Sequence, residues 1–311
     1  MLKLKKILFS LLLLSVLTVV ACLIWPVGYF ITSNIVSDTK AVIASGGGNY
    51  SGIGAYIINL DRSKDRYEYV KPTISALNFP TERISAVDGK KLTYDEISRV
   101  LDKKAYQNFI GSNPRKGTIG CSLSHINTWQ KFLDSNYEFA LIFEDDVSFE
   151  PDKLRAAIED LIQYKHLWDL TLFEIVHKGT PLTIKKLPSG PKMVIYLSNV
   201  SHAGAYLINR AAASKMLAKA LPIQMPIDHY FTRSWEFGIT LVGVEEPRLV
   251  RQSFDSSEIA KTQQIATKPM QIDLNQEDSI TLAQKAKKMV YIVQSSVIRF
   301  VYNLKLYFMH N

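Results

Sequence analysis

Short unbroken apolar runs and helical-period stripes take turns along the middle of the chain. Ala55-Tyr56-Ile57-Ile58-Asn59-Leu60 is a compact run of the kind shown by a strand buried on both faces. A charged, helix-like segment follows from Ser63, with an interruption expected at Pro72, which lacks the N–H a helix needs. Arg83 to Val87 reads as a second strand ending at the turn pair Asp88-Gly89. Thr93-Tyr94-Asp95-Glu96 is a capping box that should open a short helix. From Gly117 to Asp134 the apolar positions Ile119, Leu123, Ile126, Trp129 and Leu133 recur at three and four, which predicts an amphipathic helix. Phe139 to Phe143 is again a buried strand and runs directly into Glu144-Asp145-Asp146. Another helix should start near Asp152, after Pro151. Further strands are expected over 169–176, 193–198, 203–208 and 239–244, with a helix after Asn209. Strands alternating with helices argue for an α/β domain with a mostly parallel sheet.

The two ends differ from this middle. Ile7 to Ile31 carries no charge and is long enough to span a bilayer, which needs about 20 apolar residues. Lys3, Lys5 and Lys6 would hold the N-terminus in the cytoplasm and send the rest across. An uncleaved anchor over 1–31 is the first expectation. Its competitors are a cleaved signal peptide, and a lipoprotein-like site at Val19-Val20-Ala21-Cys22 that would leave a lipid on Cys22. Pro26 could also kink the run into a shallow, re-entrant insertion. Residues 32–55, with two glycine clusters, read as a flexible tether. Residues 252–280 are polar and read as a loop. The stretch 282–308 alternates basic and apolar residues at helical spacing, which suits either a membrane interface or a helix docked on the domain's own core. The organisation expected is thus an anchor, a tether, a catalytic domain over 56–260, and a linker with a basic amphipathic helix over 261–311.

Charge sharpens this picture. The net charge of the 311 residues is +8, and all of it sits at the ends: +3 within residues 1–6 and +5 within 281–311, neither of which holds an acid. Residues 7–280 are neutral overall, so the basic balance points to an anionic membrane surface and away from nucleic acid. With 47% hydrophobic and 21% charged residues the chain is neither disordered nor fibrous. Two cysteines, Cys22 and Cys121, exclude a disulfide framework and a cysteine-rich zinc site.

In an open α/β sheet ligands sit beyond the carboxyl ends of the strands. Glu144, Asp145 and Asp146 fall at such an end, and adjacent acids repel unless something compensates them. A divalent cation bridging to a substrate diphosphate would do so. A solvated loop, or the first turn of a following helix, is the plain alternative.

Five segments, in order, resemble glycosyltransferase family 25, the lipooligosaccharide and collagen galactosyltransferase group. They are Tyr56-Ile57-Ile58-Asn59-Leu60-Asp61-Arg62-Ser63-Lys64-Asp65-Arg66, Ile84-Ser85-Ala86-Val87-Asp88-Gly89, Gly120-Cys121-Ser122-Leu123-Ser124-His125, Ala140-Leu141-Ile142-Phe143-Glu144-Asp145-Asp146, and Gly204-Ala205-Tyr206-Leu207-Ile208-Asn209-Arg210 leading to Pro226-Ile227-Asp228-His229. Together they cover about residues 55–260. The resemblance implies a GT-A-type, Rossmann-like fold and an inverting enzyme. It would move galactose or a related hexose from a UDP-sugar, with Mn²⁺ or Mg²⁺, to a hydroxyl of a lipid-linked or protein-linked glycan. It places Asp145 and Asp146 on the metal, with Glu144 supporting them on the uridine side. Asn59, Arg62, Arg66 and Asp88 fall on the nucleotide side, with Gly120, Ser124 and His125 on the helix beside the site. In one place the chain departs from the family: Thr118 stands where an acid is usual.

Inverting transfer needs a base for the acceptor hydroxyl, and Asp228 is the candidate. It could equally cap the helix containing His229 to Trp235. His202 could add a metal ligand or be a hydrogen-bonded structural histidine. Arg62 and Arg66, four apart, could share a helix face aimed at a diphosphate, or form a solvated face paired with Asp61, Asp65 and Glu68. Beside the transferase stand two other readings: a transferase-like binding or adhesion module that has lost catalysis, to which Thr118 lends some weight, and a metal-dependent phosphoesterase. The anchor places the domain outside the cytoplasm, whereas bacterial UDP-sugars lie inside. A Golgi enzyme, or a re-entrant N-terminus with a basic tail on the bacterial inner membrane, would each resolve that, and the bacterial envelope is the leading expectation.

Overall fold

The computed structural model describes residues 52–252 and 280–310. The expected anchor, most of the tether and most of the polar linker lie outside the described residues. In chain order the strands are β1 (Ile53–Asn59), β2 (Thr81–Ser85), β3 (Phe139–Glu144), β4 (Val147–Phe149), β5 (Leu170–Leu172), β6 (Val176–His177), β7 (Leu182–Lys186), β8 (Lys192–Ile195), β9 (Val200–Ser201), β10 (Ala205–Asn209), β11 (Leu241–Glu245) and β12 (Val250–Gln252). The helices are α1 (Lys64–Ser75), α2 (Tyr94–Val100), α3 (Lys103–Ile110), α4 (Lys116–Leu133), α5 (Pro151–Gln163), α6 (Arg210–Leu217), α7 (Ile227–Phe231), α8 (Ser234–Phe237) and α9 (Leu282–His310).

Eight strands form one sheet in the order β2-β1-β3-β10-β5-β11-β8-β7. β1 is buried along its whole length because it lies between β2 and β3, parallel to both. Its side chains alternate between two cores. Tyr56 and Ile58 join Ile126, Trp129 and Phe132 of α4 on one face. Ile57 joins Val70 and Ile74 of α1 and Leu154, Ile158 and Leu161 of α5 on the other. The result is a helix–sheet–helix sandwich, which explains why β1 and β3 carry apolar runs without alternation.

The sheet is mixed, where a mostly parallel one was expected: β10 runs antiparallel to both β3 and β5, and β8 runs antiparallel to β11 and β7. Burial patterns do not encode strand direction, so a reversed central strand reads in sequence like a parallel one. The reversal matters for the site, because it brings the start of β10 to the carboxyl end of β3, where the Glu144 N–H donates to the Gly204 carbonyl over 2.8 Å.

Several local expectations shift. The first described strand begins at Ile53, and Gly54, read from the sequence as part of the tether, is a buried strand residue whose missing Cβ makes room for the Tyr137 ring. Pro72 does not stop α1, since the Glu68 carbonyl it orphans is on an exposed residue that water can reach. The strand expected over 169–176 is only Leu170–Leu172, followed by the separate short pairing of β6 with β9. The Thr93 capping box forms as predicted.

α9 docks on the domain by a mixed face. Ser295, Arg299, Asn303 and Leu306 are buried, Tyr302 and Tyr307 pack against the apolar core, and the Tyr291 ring meets that of Phe109 with centres 4.7 Å apart. Asn303 donates to the Tyr196 carbonyl over 2.7 Å, Gln284 to Gln107 over 2.7 Å, and the Arg299 guanidinium stacks 5.0 Å from the Trp235 ring centre.

α4 reaches the sheet edge through Gly120, where an added Cβ would lie 2.5 Å from the Val87 carbonyl oxygen and 2.7 Å from the Gly89 nitrogen. Both neighbours are backbone and cannot swing aside. Gly120→Ala is expected to destabilise the domain by about 1–3 kcal/mol, read as a lower denaturation midpoint with an unchanged slope.

Candidate active site

β3 ends at Glu144 and the chain turns through Asp145 and Asp146 into β4. The turn is closed in by β12, which pairs antiparallel with β4 and sets Gln252 opposite Val147. From there one Gln252 amide group donates to Glu144 Oε2 and to Asp146 Oδ1, each over 2.8 Å. Arg66, on the first turns of α1, pairs with both Asp145 and Asp146, the second at 3.0 Å. Asn59 at the end of β1 donates to Asp145 over 2.6 Å, and is itself oriented by the Arg83 guanidinium at 2.8 and 2.9 Å. On the far side His125 of α4 lies 3.2 Å from Glu144 and 2.9 Å from the Tyr206 hydroxyl, which also accepts from Trp129 over 2.9 Å. Every oxygen of the three carboxylates therefore has a protein partner.

Partners are not the same as charge balance. Among the described residues the three acids face one guanidinium, Arg66, and the His125 ring. Burial, then the neighbouring Glu144 charge, push the Asp146 carboxyl up to about 7, and burial raises Asp145 despite Arg66 and Asn59. Burial pushes Glu144 up as well, but His125, Gln252 and Arg66 outweigh it and hold this carboxyl below the usual range. Asp145 and Asp146 are thus an oxygen donor pair short of positive charge, which fits a hard divalent cation such as Mn²⁺ or Mg²⁺. Cys121, His125 and Glu144 also converge, with one ligand atom each within 4.8 Å of the others. That trio fits a metal less well: burial and the nearby acids push the Cys121 thiol up, and both His125 nitrogens already have partners.

The remaining candidates fall into two neighbouring groups. Arg62 lies in the turn before α1 and pairs with Asp88, while Arg66 turns to the acids. The two arginines therefore do not share a helix face, and Asp61 binds Arg83. Ser124 donates to the Gly120 carbonyl over 2.7 Å and accepts from the Val87 N–H over 2.9 Å. With Gly120 it seats the loop that carries Asp88.

The second group is Asp228, His202 and Glu174. Asp228 sits in the first turn of α7 and accepts from the His229 N–H at 2.9 Å and, more loosely, from the His202 N–H at 3.4 Å. Its charge and that of Glu144 both raise the His202 ring and the Cys121 thiol, so the two acids flank common ground. His202 has φ +85°, a conformation rare for residues with a side chain. Its Nδ1 lies 2.9 Å from both oxygens of the buried Glu174. Glu174 and Gln252 had no local signal in the sequence. The first is delivered by the β6–β9 pairing and the second by β12–β4, and neither short pairing leaves a periodic trace. Thr118 lies in the first turn of α4, which contains no acid.

The model of glycosyltransferase family 25 (LPS biosynthesis protein) matches residues 53–231. The chain belongs to glycosyltransferase family 25. It is 30% identical over 183 residues to procollagen galactosyltransferase 1-A of Xenopus laevis, and 31% identical over 183 residues to a glycosyltransferase 25 family member of Anopheles gambiae. It is 29% identical over 185 residues to inactive glycosyltransferase 25 family member 3 of Homo sapiens. Each match covers 56% of this chain and 30% of the relative's own length. Among solved structures it is similar to Staphylococcus aureus TarS 1–349, with a TM-score of 0.41 and 11% identity over 78% of this chain and 71% of the other. A likeness of that size adds nothing to the family assignment.

Glu174 raises the His202 pKa chiefly by its hydrogen bond. The stability that the pair contributes is therefore complete below the unfolded histidine value of about 6.5 and is lost as pH rises through the raised folded value. Glu174→Gln should bring the His202 NMR titration down towards the ordinary histidine range and flatten the fall in denaturation midpoint across that window. An unmoved titration would mean that the pair does not set the state of the ring.

Proposed function

We propose that this family 25 chain transfers a hexose, galactose first, from a UDP-sugar to a hydroxyl of a lipid-linked or protein-linked glycan, with inversion at the anomeric carbon. The observation that carries the reading is the buried, under-neutralised Asp145–Asp146 pair at the carboxyl end of β3, where an α/β sheet receives its ligand. The galactosyltransferase names of its relatives support the donor sugar, and the description of the family as an LPS biosynthesis protein supports an envelope glycan as acceptor. Attachment to a membrane, with the bacterial inner membrane first, rests on the apolar run from Ile7 to Ile31.

In this reading Asp145 and Asp146 hold the divalent cation, which supplies charge to stabilise the departing diphosphate. Asn59 and Arg66 keep the two aspartates apart and oriented, and His125 with Gln252 fixes Glu144 beside them. Arg62 and Asp88 line the nucleotide side. Asp228 accepts the proton of the acceptor hydroxyl while that oxygen bonds to the anomeric carbon and the bond from that carbon to the diphosphate oxygen breaks, releasing UDP. His202, held by Glu174, orients the Asp228 side.

A second reading, a transferase-like binding module without catalysis, has two observations in its favour: Thr118 stands in place of the usual acid, and one relative is named inactive. The full chain in mild detergent, assayed for UDP release across UDP-sugars, separates the two. Metal-dependent release from one UDP-hexose is expected, lost with EDTA and reduced about 100-fold or more by Asp145→Asn or Asp146→Asn, the usual scale for removing a group that stabilises developing charge. Neither turnover nor UDP binding would replace the transferase with the binding module.

A further inference from the structure

α9 carries apolar side chains both on the side that docks and on the side that does not. Its inner side carries the buried Ser295, Arg299 and Asn303, while Met289, Val293, Val297, Phe300 and Phe308 point outward and are 61%, 41%, 41%, 46% and 71% exposed. From Met289 onward these positions, with Leu304, recur at three and four residues, and Leu282 lies two turns before Met289 on the same stripe. The stripe would be a liability in water.

We propose that this outward face of α9 lies in the interface of an anionic lipid bilayer, with the helix parallel to the membrane plane. Charge complementarity selects that occupant. Lys285, Lys287 and Lys305 are exposed, and residues 281–311 contain no acid. Lys287 and Lys305 stand about five turns apart on the same flank of the stripe, where both can reach headgroup phosphates while the apolar side chains enter the acyl boundary. A second copy would bring the same lysines against each other without a counter-charge, and the chain's own N-terminus begins with three further lysines. The helix does not cross the bilayer: among the described residues no helix is long and apolar enough to do so. Its bonds to Tyr196 and Gln107 fix the domain to the helix, so the bilayer plane runs along that side of the molecule. The inference is independent of the transfer chemistry.

The test reads the stripe itself, because the N-terminal run could tether the chain to any vesicle. Full-length chain with Cys22→Ser, Cys121→Ser and Val297→Cys is labelled at 297 with an environment-sensitive fluorophore, and mixed with phosphatidylglycerol-containing or pure phosphatidylcholine vesicles carrying spin-labelled lipid. The expected result is a blue shift and quenching at 297 in the anionic vesicles. It should be weakened by salt and reduced roughly tenfold or more in a Lys285→Gln/Lys287→Gln/Lys305→Gln variant. A label at Tyr69→Cys, on α1, should stay unquenched. Emission at 297 that ignores vesicles overturns the proposal. So does emission already blue-shifted without lipid and insensitive to spin label, which would mean that the N-terminal run or a second copy covers the stripe. Equal quenching at both positions overturns it as well.

Discussion

Three carboxylates at one strand end, two of them buried and sharing the one guanidinium that the described residues bring to them, are the constraint around which the rest of this domain is arranged. Each buried ion costs several kcal/mol to desolvate, so each must be met by partners. The fold meets them from four directions: Asn59 from the end of β1, Arg66 from α1, His125 from α4 and Gln252 from β12. Hydrogen bonds satisfy the oxygens one by one without cancelling the charge. The residue of that imbalance falls on Asp146, whose carboxyl is driven up to about 7. Asp145 and Asp146 both stand above the usual carboxylate range, and a cation between them would supply the charge that their partners leave out.

The sheet serves this arrangement. Reversing β10 puts its first residues, and the His202 loop before it, beside the end of β3. A parallel strand would have placed them at the opposite edge. The two short pairings, β4 with β12 and β6 with β9, then bring in Gln252 and the Glu174–His202 pair from remote parts of the sequence. The packing around Gly120 and Ser124 belongs to the same logic, since it holds the Asp88 loop, and with it Arg62, against α4.

How much of this was legible depended on the range of the interaction. β1, β3 and α4 were readable because burial on two faces or one leaves a local pattern, and the acids were conspicuous because they follow an apolar strand directly. Asn59, Arg66 and His125, named from the family resemblance, do meet the acids. Gln252 and Glu174 were invisible, because what makes them matter is a contact across more than a hundred residues in the first case and a two-residue pairing in the second. Arg62 and Arg66 were misjudged together: spacing of four implies a common helix face only if both residues lie in the helix, and α1 begins at Lys64. α9 was predicted as an amphipathic helix, but periodicity cannot say which face turns inward, and the one that docks mixes Ser295, Arg299 and Asn303 with Leu306 and three tyrosines.

The central claim is that the carboxylates at the end of β3 complete their charge balance with a divalent cation, and electron paramagnetic resonance of Mn²⁺ titrated into the full chain tests it without requiring an acceptor. The account predicts one bound Mn²⁺ per chain, tightened by UDP and abolished in Asp145→Asn/Asp146→Asn. Free-ion spectra throughout, or binding that survives in the double variant, would contradict it.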